Sequence, residues 1–288
     1  MIYLNLAFDF IKFIVKLLLT KCNNISSPLK ISFNKQNFKK SIILGTGPSL
    51  LKDIHEINNY KKNECDFFGV NFFANTDTFI ELKPNYYFLA DKLFWSNKLN
   101  KNFNQLRNDT IERLNTVNWK ITLLCPESGY YYIKSKLLNN SNISIVKIPE
   151  KSINLSTKKM QLFALQSRFF AIPNVNSVVT LIWYSIICDY SEIYIYGADF
   201  SGFKSITVDQ ETNQVSVPVR HFYKNSRAEK DSSSKYQAKK NKSLSERLYQ
   251  NYRVLKYNDL LNDLAITKGI EIINRSSFSY IDSFKRKK

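Results

Sequence analysis

The chain has 288 residues, enough to bury one sizeable α/β core. Its 44% hydrophobic and 14% aromatic content excludes a disordered protein. Four scattered cysteines (Cys22, Cys65, Cys125, Cys188), with no CxxC pair, exclude a disulfide framework and a zinc site, while a formal charge of +18 leaves nucleic acid, an anionic membrane surface or an anionic substrate open.

Residues 1–21 form an apolar run broken by Asn5, Asp9, Lys12, Lys16 and Thr20. Those positions step by three or four, so on a helix they make one narrow polar stripe. The run lacks the leading charge and small-residue cleavage site of a secretory signal, and it falls short of the roughly 18 uninterrupted apolar residues of a spanning helix. The expectation is an amphipathic helix in the membrane interface, lysines toward the headgroups. A helix docked on the protein's own core is the competing reading. Residues 22–37, polar and broken at Ser26-Ser27-Pro28, read as a linker, and 38–288 as the main domain.

That domain opens with a short apolar strand at 42–44, followed by Gly45-Thr46-Gly47-Pro48-Ser49 and an amphipathic helix over 50–57. Glycines let a backbone approach a ligand closely, and the amides at a new helix's start form an anion site. Leu50 stands where a Rossmann fingerprint has its third glycine, and no Gly-Lys-Ser/Thr of a P-loop follows. Further strands are predicted at 65–71, 86–90, 121–125, 142–148, 192–196 and 270–273. Helices are predicted at 175–188, with Asn176 and Ser177 as capping types, and at 244–268, closed by Gly269. This alternation predicts an α/β fold with a doubly wound, mostly parallel sheet. Ligands of such sheets sit at the carboxyl ends of the strands. Gly45, Thr46, Gly47, Asn71, Asp91, Gly197 and Asp199 all fall there. From about 201 to 252 the pattern dissolves into a flexible lid, basic and Ser-rich over 224–242.

The chain has two histidines. His55, on the helix after the glycine loop, reads as structural or exposed. His221 lies in Val217-Pro218-Val219-Arg220-His221-Phe222-Tyr223, beside the basic segment. A histidine in a cleft-side loop holds or releases a proton near neutrality, as a general base must; an aromatic-flanked structural histidine is the alternative. There is no Asp-x-Asp pair and no His/Glu pair at helical ligand spacing, so neither a metal nor another cofactor is expected.

In this order the motifs resemble the family 42 sialyltransferases, bacterial enzymes that move sialic acid from CMP-sialic acid onto surface glycans. The likeness rests on Gly45-Thr46-Gly47-Pro48-Ser49-Leu50, Val70-Asn71, Asn176-Ser177, Glu192-Ile193-Tyr194-Ile195-Tyr196-Gly197-Ala198-Asp199-Phe200 and His221-Phe222-Tyr223. It implies a Rossmann-like sheet in a variant of the GT-A architecture. It also implies an inverting, metal-independent glycosyltransferase that moves sialic acid or a related acid sugar from a CMP-activated donor to lipopolysaccharide or capsule. In that reading His221 is the catalytic base. Gly45, Thr46, Gly47, Ser49, Asn71, Asp91, Asn176, Ser177, Gly197 and Asp199 hold the donor. Lys204, Arg220 and Tyr223 offset charge on the departing phosphate. The expected partners are the nucleotide-sugar donor, a glycan or glycolipid acceptor and the anionic cytoplasmic face of a bacterial inner membrane, where the protein would be peripheral. A homo-oligomer is permitted, and nucleic acid is not expected. The chain departs from the family pattern where Thr46 replaces an asparagine, Ala90 (beside Asp91) a second asparagine, Asn174 an arginine and Ser201 a tyrosine. Two other readings stand beside this one. A diphosphokinase-type phosphotransferase would share the Gly-x-Gly-Pro-Ser loop, and a basic nucleic-acid binder would explain the charge, but no recognition helix or aromatic RNA motif accompanies it.

Overall fold

The computed structural model describes residues 2–22, 40–97, 99, 101–137, 140–217 and 242–286. Its centre is a 7-stranded sheet built from β1 (Lys40–Leu44), β2 (Cys65–Val70), β3 (Tyr86–Phe88), β4 (Ile121–Pro126), β5 (Ile143–Ile148), β6 (Glu192–Tyr196) and β9 (Glu271–Asn274). The spatial order is β5-β4-β3-β2-β1-β6-β9. Every neighbouring pair is parallel, with Ile42 opposite Phe67 on one side and Tyr194 on the other. The predicted α/β class and mostly parallel sheet are both present.

Side chains alternate between two cores, as the pleat requires. Ile43, Phe68, Val70, Phe88 and Ile195 enter one, while Ile42, Leu44, Phe67, Tyr87 and Tyr196 enter the other. A parallel sheet needs both faces covered. On the second face lie α2 (Leu50–Ile57), α3 (Asp77–Leu82), α4 (Lys101–Asn115) and α5 (Tyr130–Lys136). On the first, α7 (Ser177–Ile187) packs against β1 and β2, and α8 (Leu244–Thr267) packs on α7 and on α6 (Lys158–Gln166). Sandwiched in this way, α7 is buried from Val178 through Ile187, which its nearly all-apolar sequence permits.

The outermost layer on that face is α1 (Ile2–Cys22), packed on α6. Phe13 is 4% exposed, its ring edge-on to Phe163 and Phe170 at 5.2 and 5.4 Å. Asp9 departs from the stripe expected to face headgroups, because it is turned into the protein. It accepts hydrogen bonds from the Ser156 amide and hydroxyl, both at 3.0 Å, and from the Thr157 amide and hydroxyl, both at 2.7 Å. Thr157 is the residue before α6, so the carboxylate closes that helix's N-terminus. Burial raises the Asp9 carboxyl, but these hydrogen bonds outweigh it and hold the group at about 2.

Between 201 and 252 the described parts are more regular than the sequence suggests. A 3-10 turn, Gly202–Ser205, leads into a two-stranded hairpin of β7 (Thr207–Val208) and β8 (Val215–Ser216). A capping box between Ser243 and Glu246 starts α8. Residues 23–39 and 218–241 lie outside the described set, and with them most of the expected linker and the basic part of the expected lid.

Candidate functional site

The strand order decides where to look. From β1 to β5 the chain lays strands outward in one direction, and β6 is then placed on the other side of β1. The loops leaving β1 and β6 therefore diverge at the point where α/β sheets open a crevice. These loops carry the two glycine-containing motifs.

They are bound to one another. The Gly45 amide donates to the Tyr196 carbonyl and the Gly47 amide to the Gly197 carbonyl, both at 2.8 Å. The Ser49 amide and hydroxyl donate to the Asp199 carboxylate at 3.1 and 2.5 Å. A Cβ on Gly45 would stand 2.4 Å from the Gly197 oxygen, and one on Gly47 only 2.3 Å from Asp199 Oδ1. Gly197 itself has φ +63°, the left-handed region that favours glycine. The glycines thus permit two loops to cross. The anion site expected at the start of α2 is filled by the protein's own Asp199, which corrects the reading of Gly45, Gly47 and Ser49 as amides open to donor phosphate.

Beside this crossing lies a cavity of about 200 Å³ lined by residues 46–48, 176–178 and 197–202, with Ser205 and Ile281. Thr46, Gly47, Asn176, Ser177, Gly197 and Asp199, named from the sequence, share its wall. Gly45 and Ser49 do not line it. The Asn176 side chain caps α7, its Oδ1 accepting from the Val178 amide at 2.8 Å. The hydroxyls of Ser177, Ser201 and Ser205 take no hydrogen-bond partner among the described residues. The wall is therefore rich in hydroxyl groups able to bond an incoming ligand. Ser205 was not singled out by the sequence. Its place one turn beyond the β6 motif was the available signal.

Asn71 and Asp91 sit on the same carboxyl edge but outside this wall. Asn71 has φ 47°, and its Oδ1 accepts from the Ala90 amide at 2.9 Å while its carbonyl accepts from the Tyr87 hydroxyl. Asp91 accepts from the Leu93 amide at 3.2 Å, capping a short 3-10 turn. Both side chains tie strand ends to the loops beyond them. Asn174 reaches from the approach to α7 to the Ala90 carbonyl at 2.7 Å and joins this row to the cleft. Lys204 is exposed next to the cleft, its ammonium 5.0 Å from the Tyr280 ring centroid. His55 is exposed on α2. His221, Arg220 and Tyr223 lie outside the described residues.

A larger cavity of about 580 Å³ lies between α8 and the segment around α6, with Tyr249, Tyr252, Arg253 and Lys256 on one wall. No strand end enters it. Burial pushes the thiols of Cys65, Cys125 and Cys188 up to about 12, so none carries appreciable thiolate near neutrality. Among the described residues no group of three or more His, Cys, Asp or Glu gathers at one point.

No family model and no curated protein matches the chain. Among solved structures, the sialyltransferase CstII from Campylobacter jejuni, in complex with the substrate analogue CMP-3FNeuAc, is similar at 15% identity, covering 86% of this chain and 85% of that one, with a TM-score of 0.40.

Proposed function

We propose that the chain is a glycosyltransferase that takes its sugar from a nucleotide-activated donor, with a CMP-activated acid sugar as the donor class. One observation carries this reading: Thr46, Asn176 and Ser177, drawn from distant stretches of sequence, meet in a single hydroxyl-lined cleft where the strand order reverses. The cleft suits the phosphate and the adjoining ring of a donor. Its hydroxyls, together with the dipole of α7, would stabilise negative charge developing there.

In the reaction, an acceptor hydroxyl oxygen attacks the anomeric carbon and the bond from that carbon to the phosphate oxygen breaks. The electron pair leaves with the nucleotide phosphate, and the acceptor proton passes to His221. Ser177 and Ser201 line the leaving-group side of the cleft, and Lys204, Arg220 and Tyr223 supply charge and a further hydroxyl in this scheme. The base acts as neutral imidazole, so the rate rises with pH through the histidine pKa, roughly 6.5 when unperturbed, and then levels off. A glycan or glycolipid is the acceptor class, and no metal takes part.

The test is a transfer assay with CMP-, UDP- and GDP-sugars in the presence and absence of EDTA. The expected result is transfer from a CMP-sugar that survives EDTA, with His221→Ala folded but slowed about 100- to 10,000-fold. Magnesium-dependent phosphoryl transfer, or full activity in His221→Ala, would overturn the reading.

A further inference from the structure

α1 meets the rest of the protein along a narrow line. Leu6, Asp9, Phe13 and Leu17 recur at steps of three and four and face the α6 layer. At about 100° per residue, Leu4, Phe8, Ile11, Val15, Leu18 and Leu19 fall on the opposite half of the helix. These six side chains are 50% to 76% exposed. Phe163, half-exposed on α6 and in ring contact with Phe13, extends the surface. An apolar surface of this extent marks a contact face.

Charge indicates what the face contacts. Asp9 is the one acidic residue of α1, and it is inside, saturated by Ser156 and Thr157. The outward charges are cationic: Lys12 and Lys16 border the apolar arc, on a chain of net charge +18. No helix among the described residues is long and apolar enough to cross a membrane. A helix with one docked edge, a broad apolar arc opposite and lysines at the margin fits a surface that is apolar within and anionic at its rim.

We propose that α1 seats the protein on an anionic lipid bilayer, its outer arc in the acyl boundary, Lys12 and Lys16 at headgroup level, and Asp9 locking the helix to the body. The latch presents the arc already folded, so binding orders nothing new. It also orients the molecule, with the α6 and α8 layer between bilayer and sheet. This inference stands apart from the transferase reading.

The test is flotation of the full chain with phosphatidylcholine vesicles containing about one-third phosphatidylglycerol, against phosphatidylcholine alone. The wild type is expected to float with the anionic vesicles, and less so at high salt. The triple variant Phe8→Asp, Ile11→Asp, Val15→Asp is expected to keep the wild-type thermal transition and lose vesicle affinity about tenfold or more. Lys12→Glu with Lys16→Glu should weaken binding to anionic vesicles and leave weak binding to neutral ones unchanged. A wild type that does not float, or a triple variant that floats as well, would overturn the proposal. So would a wild-type dimer that the triple variant converts to monomer, since a second copy would then cover the face. Donor turnover in solution, measured on the same variant, reports on the transferase reading separately.

Discussion

Two buried aspartates close helices other than their own. Asp199, just beyond β6, accepts from the Ser49 amide and hydroxyl at the start of α2. Asp9, in α1, accepts from the Ser156 and Thr157 amides and hydroxyls at the start of α6. The local chemistry is nearly the same, and the surroundings are opposite. The Asp199 contact joins loops from the neighbouring strands β1 and β6, and the segment after β9 supports it through Ser276, Ser279 and Tyr280. The Asp9 contact holds a peripheral helix in which Phe13 is the large side chain fully inserted among the described ones. A carboxylate–amide bond thus rigidifies a cleft in one place and latches a removable element in the other. What differs is how many neighbours depend on the bond.

Cutting each carboxylate breaks or sharpens that comparison. Asp199→Ala strands the Ser49 donors between the β1 and β6 loops, at about 1–3 kcal/mol for each unsatisfied buried group. A cooperative fall in Tm of several degrees is expected by calorimetry, with loss of any nucleotide binding in the cleft. An unchanged Tm would show that the crossing loops are held by their backbone bonds alone. Gly47→Ala tests the same point from the other side, because its Cβ would overlap Asp199 Oδ1. A loss of about 1–3 kcal/mol is expected.

A third carboxylate shows what happens with fewer donors. Asp66 is buried with one partner, the Tyr190 hydroxyl at 2.6 Å. Burial outweighs that bond and raises it to about 6, whereas Asp9 with its several donors sits at about 2. The sign follows from linkage. Between the unfolded value near 3.8 and about 6 the folded protein binds the extra proton, so Asp66 makes stability fall as pH rises through that window. Asp66→Asn should therefore raise Tm by a few degrees near neutral pH and by little at about pH 4. An equal effect at both pH values would remove Asp66 from the pH dependence.

The smallest global effect is expected at Asp9. Asp9→Ala should leave the main thermal transition within about 0.5 kcal/mol while amides of α1 and of the first turn of α6 exchange faster. In the wild type the same release is expected as pH falls through about 3.8 toward 2, since a lowered carboxyl pKa stabilises only above that range. A large drop in the main transition would make α1 part of the central fold.

The sheet was legible because its strands are short, apolar and bounded by turns, and parallel strands need both faces apolar. Ile42, Phe67 and Ile195 are recognisable as core from the sequence alone. The convergence of Thr46 and Asp199 was legible too, since strand–helix alternation forces carboxyl ends onto one edge, whereas Asn176, at a helix start, was linked to them only by the family resemblance. The role of the glycines was not. Sequence shows that Gly45 and Gly47 allow close approach but not what approaches, and here it is the β6 loop. Asp9 was misread for a related reason. On a helix read alone it belongs with Lys12 and Lys16, and only the Ser156-Thr157 pair, far along the chain, supplies donors that turn it inward.

The central claim is that a nucleotide sits in the cleft where β1 and β6 diverge, and hydrogen–deuterium exchange with and without CMP tests it most directly. Saturable protection is expected in peptides covering 45–50, 176–182 and 197–206, lost in Ser177→Ala. Protection confined to 152–173 and 249–263, around the larger cavity, or none at any CMP concentration, would contradict it.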